Sequence, residues 1–193
     1  MDRRKALKKL GLGTGIVLTT PVLINFLQSC SQKSTIWQPL FLTTEQGYVL
    51  KAIADVILPK TDTPSASELN IPQFVDKYLD EVSELDEQKN IKDAFNKLIG
   101  IVKSDYNENI NTVSEEQYKM LLDKHMILKD PARDENKPMS ISNLLNTIKW
   151  MAINAFRTNE FIGENVLAYD PVPGSQKGCI SLEDATKGKA WSI

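Results

Sequence analysis

A single histidine, His125, and two cysteines, Cys30 and Cys179, are all that this 193-residue sequence offers as imidazole or thiolate ligands. No His pair and no Cys/His cluster can be assembled from them, so a transition-metal site is excluded. His125 reads as a surface or half-buried helix residue. No serine stands in a Gly-x-Ser-x-Gly elbow, and Cys179 lacks a nearby base that would make it a nucleophile. A basic stripe with interleaved aromatics is missing too, which argues against nucleic acid as a partner. The acidic stretch around Asp130, Asp134 and Glu135 has neither the alternating spacing nor the mid-loop glycine of a calcium loop, and reads as a solvated linker over 130–139. Asp80/Glu81 and Glu115/Glu116 are sequence neighbours on predicted helices, so they point about 100° apart and cannot flank one bond as an acid/base couple. Glu115 and Glu116 better suit a helix N-terminus. Gly11, Gly13 and Gly15 imitate a phosphate loop without the strand that such a loop must follow. An enzyme acting alone is not expected.

What is present begins with an asymmetry of charge. The net charge is −2, yet residues 1–29 hold Arg3, Arg4, Lys5, Lys8 and Lys9 against Asp2. Setting those aside from the 23 basic and 25 acidic residues leaves 18 and 24, a net of −6 for the body. Residues 10–27 then carry no charge, and Leu27-Gln28-Ser29-Cys30 follows, the order of an export segment. Arg3, Arg4, Leu7 and Lys8 resemble the twin-arginine signal, with Asp2 and Ala6 departing from its usual hydroxyl and aromatic residues. Leu27 to Cys30 resembles a lipobox, which implies lipid on Cys30. The alternative is an uncleaved N-terminal anchor. Either way the body is expected on the periplasmic side of a bacterial membrane, tethered to it. The twin-arginine route carries folded cargo, commonly cargo that has already taken up a cofactor.

The remaining chain suits one domain, and about 150 residues bury roughly 68–70% of their unfolded surface, so neither metal nor disulfide is needed for folding. Thr43 and Gln46 form a capping box ahead of Leu50, Ile53, Ala54 and Ile57, a first helix stopped by Pro59. A turn-rich loop precedes Pro72, which opens a second helix with Ile71, Phe74, Val75, Tyr78, Leu79 and Val82 on one face, ending near Leu85. Ile91, Ala94, Phe95, Leu98, Ile99 and Val102 define a third. Ser114 and Gln117 cap a fourth with Tyr118, Leu121, Leu122 and Met126, and Leu144, Leu145, Ile148, Met151, Ala152, Ala155 and Phe156 make a fifth. Alternating strands, internal repeats and sustained heptads are lacking. The expected fold is all-α, a helical-bundle-like domain of about five helices over 44–168, after a linker at 30–43.

Tyr169-Asp170-Pro171-Val172-Pro173-Gly174 cannot continue a helix, so residues 169–193 are expected to form an extended tail. Its Tyr169, Val172, Cys179, Ile180, Leu182, Trp191 and Ile193 are too apolar for a solvated tail, and are expected to pack either on this chain's helices or on a partner. Cys179 is either a buried free thiol or half of an intermolecular disulfide.

Residues 37–42, 53–64 and 71–76, with Ile-Leu-Pro-Lys-Thr-Asp-Thr-Pro at 57–64 the most specific, resemble the gluconate 2-dehydrogenase subunit 3 family. So do residues 169–174 and Gly178-Cys179, whereas 84–140 carries no part of the resemblance. The family implies a small, non-catalytic subunit of a membrane-associated dehydrogenase for sugars, sugar acids or alcohols. FAD and catalysis lie in a large partner subunit, and a cytochrome c often accepts the electrons. No cofactor is expected in this chain, which instead assists the partner's maturation and lends it a twin-arginine signal. Such an interface is expected to be large and apolar. The contacts anticipated are Trp37 and Phe41, the loop with Pro59, Thr61, Asp62, Thr63 and Pro64, and the tail with Tyr169, Pro171, Pro173, Gly174 and Cys179. A lipoprotein that binds a small ligand or another protein by itself is the alternative.

Overall fold

Local capping decides where most helices begin. The computed structural model describes residues 37–126, 138–170, 174 and 178–192. The chain divides into two units, Met1–Trp37 and Gln38–Ile193, and every described residue but Trp37 belongs to the second. Arg3, Arg4, Leu7 and Cys30 of the expected leader lie outside the described residues, as do 130–137 of the expected linker, Pro171 and Pro173.

Helix α1 (Thr44–Ile57) starts at the anticipated box, with the Thr43 hydroxyl accepting from the Gln46 amide and the Gln46 side chain returning to the Thr43 amide. α2 (Ile71–Glu81) follows Asn70, which turns the chain in the left-handed region at φ 56°. α3 (Leu85–Asp105) has Asp86 and Glu87 in its first turn, where carboxylates oppose the positive end of the helix dipole. A short 3-10 turn (Ile110–Thr112) leads to α4 (Glu115–His125), opened by the predicted Ser114/Gln117 box. α5 (Ile141–Arg157) is capped by the Ser140 hydroxyl. Two shorter helices complete the described chain, α6 (Glu160–Asn165) and α7 (Leu182–Thr186).

α1 and α5 are the central pair. α1 packs on α2, α3, α4 and α5, while α5 also reaches α2, α3, α4 and α6. Val49, Leu50 and Ile53 of α1, Phe95 and Leu98 of α3, Leu121 of α4 and Leu145 of α5 are all closed to solvent where these helices pack. Each such side chain contributes about 1.5–3 kcal/mol by leaving water, against about 0–1 kcal/mol for exposed ion pairs such as Lys103–Glu45 and Lys124–Asp105. Apolar burial therefore holds the bundle together.

The domain is all-α, and all five anticipated helices are present. Three details differ from the sequence reading. α2 ends at Glu81, and α3 begins six residues before Ile91, because Leu85 and the acidic turn after it are already helical. Met139, at the end of the expected solvated linker, is buried. The tail is not extended throughout: it contains α7 and returns to the bundle through an isolated parallel bridge between Ala168 and Trp191. Among the described residues no helix is long and apolar enough to cross a membrane.

Candidate functional site

The segment ahead of α1 is held by a buried carboxylate. Asp76 is 1% exposed, and its oxygens accept the backbone amides of Leu40 at 2.6 Å and Leu42 at 2.9 Å, with that of Phe41 more distant at 3.5 Å. Backbone donors replace the water that a buried carboxylate loses, which is what makes its burial tolerable. Pro39 lies so close to α1 that a Cβ on Gly47 would stand 2.3 Å from its Cγ; only glycine permits that approach. Phe41 is buried, with the Lys92 ammonium 4.1 Å from its ring centroid. Its side chain is thus spent inside this chain and is not available to a partner in this conformation. Gln46 completes the corner by reaching Asn96 of α3 at 2.9 Å.

The anticipated loop at 59–64 is pinned from below. Asp55 accepts from the Ser67 amide at 2.8 Å and from its hydroxyl at 2.5 Å, and the Ala66 amide donates to the Leu58 carbonyl at 3.0 Å. Lys60 pairs with Glu68, whose carboxyl is held below its ordinary range first by that hydrogen bond and then by the Ser65 amide. Pro59, Thr61 and Asp62 are exposed, and Thr63 and Pro64 half-buried. Beside Pro59 runs an open groove of about 600 Å³ whose lining includes Ile57, Glu116, Lys119 and Lys149. The loop is fixed by hydrogen bonds at its base.

At the other end, the Ala168 amide donates to Ala190 at 2.7 Å, the Ser192 amide to Ala168 at 3.1 Å, and the Lys189 ammonium to the Asn165 carbonyl at 3.0 Å. Tyr169, Ile180, Leu182 and Trp191 remain exposed on this returning segment. A cleft of about 490 Å³ opens there between Tyr169, Gly163, Arg157 and Ser192. Gly174 is exposed, with φ 66°. Cys179 is exposed, which overturns its reading as a buried thiol and leaves it accessible.

A further surface went unrecognised in the sequence. Phe74, Tyr78 and Val82 recur every four residues along α2 and its C-cap, on the single apolar face expected for this helix, yet Phe74 is 53% and Val82 59% exposed. Val75 and Leu79, one residue round the helix, occupy the interior instead. The Phe74 and Tyr78 rings lie 6.2 Å apart, and together with Trp150 and Met151 of α5 they line a small apolar cleft of about 100 Å³. Trp150 is 61% exposed. The sequence reading placed all of these residues on one face; the fold divides them into an inward row and an outward one.

Among the described residues no group of three or more His, Cys, Asp or Glu side chains is placed to hold a metal ion. His125 ends α4, half-buried. Glu116 lies in the first turn of α4, and its carboxyl is lowered by its own backbone amide and by Ser114, the helix-supporting role expected of it. The Tyr118 hydroxyl is buried, and desolvation, then the neighbouring Tyr48, drives its proton affinity far up, so it does not ionise near neutrality.

These features define an all-helical domain with exposed apolar side chains on α2, α5 and the returning segment, and a loop fixed by hydrogen bonds. The model of one family, gluconate 2-dehydrogenase subunit 3, matches residues 44–174, more than half of the chain, and the chain belongs to that family. By that membership it is a small subunit of a dehydrogenase complex, associated with other subunits of the complex. No curated protein and no solved structure matches it. The match takes in 53–64, 71–76 and 169–174 and runs unbroken through 84–140, where the sequence suggested no kinship; residues 37–42 and 178–179 fall outside it.

Proposed function

We propose that this chain is the non-catalytic small subunit of a periplasmic, membrane-tethered FAD-dependent dehydrogenase of the gluconate, sugar or alcohol type. It assists maturation of the flavoprotein subunit and carries it across the membrane on its own twin-arginine leader. The observation that carries this reading is the coincidence, in one chain, of family membership over 44–174 with an N-terminal Arg3-Arg4 leader ending at Cys30. The exposed apolar groups of α2, α5 and the returning tail support it, since a solitary soluble domain has little use for such surfaces. FAD resides in the partner. A cytochrome c serves as a further subunit, and lipid on Cys30 anchors the assembly at about 0.8 kcal/mol per buried methylene.

Membrane extraction of the tagged chain tests the assembly: a yellow flavoprotein is expected to co-purify, and a colourless single species would refute it. Replacing Arg3 and Arg4 by lysine is expected to strand chain and flavoprotein together in the cytoplasm. Undiminished export of the flavoprotein would refute the shared leader.

A further inference from the structure

We infer that the α2–α3 corner is the docking face for a basic amphipathic helix of the partner subunit, an inference that rests on the subunit reading above. The apolar element is a row of Phe74, Tyr78 and Val82 at four-residue spacing, with Leu85, 83% exposed, opening α3 three residues further along the chain. A row of side chains spaced by one helical turn packs into the grooves of a second helix, and the cleft between α2 and α5 gives a large side chain somewhere to insert. Trp150 forms its opposite wall.

Charge selects the occupant. Around Val82 and Leu85 stand the exposed carboxylates of Asp80, Glu81, Glu84 and Asp86. The one cation of α2, Lys77, is engaged with Glu81 at 3.7 Å, and exposed Lys89 on α3 still leaves the carboxylates in excess. A second copy of this chain would bring the same carboxylates against themselves, and an anionic membrane surface would be repelled likewise. A helix with leucine-like side chains on one face and lysine or arginine along its edges satisfies both the apolar row and its rim.

The test uses the full chain in detergent and two labelled 18-residue probe peptides of identical helical pattern, one of leucine and lysine, the other of leucine and glutamate, followed by fluorescence anisotropy. The leucine/lysine peptide is expected to bind, weakening with salt, and the leucine/glutamate peptide not to bind. Val82→Ser with Leu85→Ser is expected to weaken binding at least tenfold, while Glu84→Gln with Asp86→Asn flattens the salt dependence. Val82 and Leu85 are solvent-exposed, so circular dichroism melting of that variant is expected to match the parent, whereas Glu84→Gln with Asp86→Asn removes carboxylates from the start of α3 and is expected to melt slightly earlier. Equal binding of the two peptides, or binding unchanged in the Val82/Leu85 variant, overturns the proposal, as does concentration-dependent self-association lost in that variant. Flavoprotein co-purification is scored in parallel. Flavoprotein retained by the Val82/Leu85 variant overturns this docking face alone, whereas none retained by the parent overturns the subunit reading with it.

Discussion

Replacing Asp76 by alanine isolates the most informative single contact in the domain. The carboxylate holds the amides of Leu40 at 2.6 Å and Leu42 at 2.9 Å, and the Phe41 amide at 3.5 Å is too long to add much. A hydrogen bond to a charged acceptor contributes about 1.5–3 kcal/mol, so two of them amount to about 3–6 kcal/mol. The segment has an escape: it can lift away and let water serve its amides. That route exposes Phe41 and Leu42, both buried in the parent, at about 1.5–3 kcal/mol each. Both responses are of the same size, so the loss is expected at about 3–6 kcal/mol whichever the chain adopts, a large part of the roughly 5–15 kcal/mol typical of a domain. Asparagine keeps one acceptor oxygen and is expected to lose about half as much. Urea unfolding measures the shift in midpoint, and amide hydrogen exchange at residues 40 and 42 reports whether the segment detached. An Asp76→Ala midpoint within about 0.5 kcal/mol of the parent, with both amides still protected, would refute the reasoning.

The glycines make a paired prediction. Gly47→Ala forces a Cβ to 2.3 Å from the Pro39 ring and is expected to destabilise by about 1–3 kcal/mol, whereas Gly100→Ala, with nothing within 4 Å, is expected to stabilise α3 by about 0.8–1 kcal/mol; thermal melting checks both. Asp105 is lowered from its ordinary 3.8, first by the hydrogen bond from Lys124 and then by that from Ser104. Because the folded value is the lower one, its stabilisation is fully present at neutral pH and is lost only as pH falls below 3.8 and through the folded value; Lys124→Met is expected to raise the carboxyl's midpoint in an NMR titration. Cys179 is exposed and is expected to react with a thiol reagent without denaturant, the labelling at that position disappearing in Cys179→Ser. A mixed disulfide to another subunit would show as a band on non-reducing electrophoresis that the same substitution removes.

The helices at 44–57, 115–125 and 141–157 were legible because their signals are local. Thr43 with Gln46, and Ser114 with Gln117, satisfy orphan amides three residues away, and the apolar spacing that follows needs no knowledge of neighbours. The loop at 59–64 was legible as a loop for the same reason, through Pro59 and Pro64. The rest depended on contacts distant in sequence. Asp76 reads as one more polar residue of an amphipathic helix until the segment 34 to 36 positions earlier folds over it. Phe41 reads as a surface anchor until that same segment buries it. Phe74 and Val82 share helical spacing with Val75 and Leu79, and spacing alone states that a stripe is apolar without stating what covers it. Thus the sequence by itself determined the five main helices and two of their capping boxes. Tertiary structure decided which carboxylate was sealed in, which apolar stripe stayed outside and where the tail returned, because burial is a property of neighbours that the chain supplies only once it has folded.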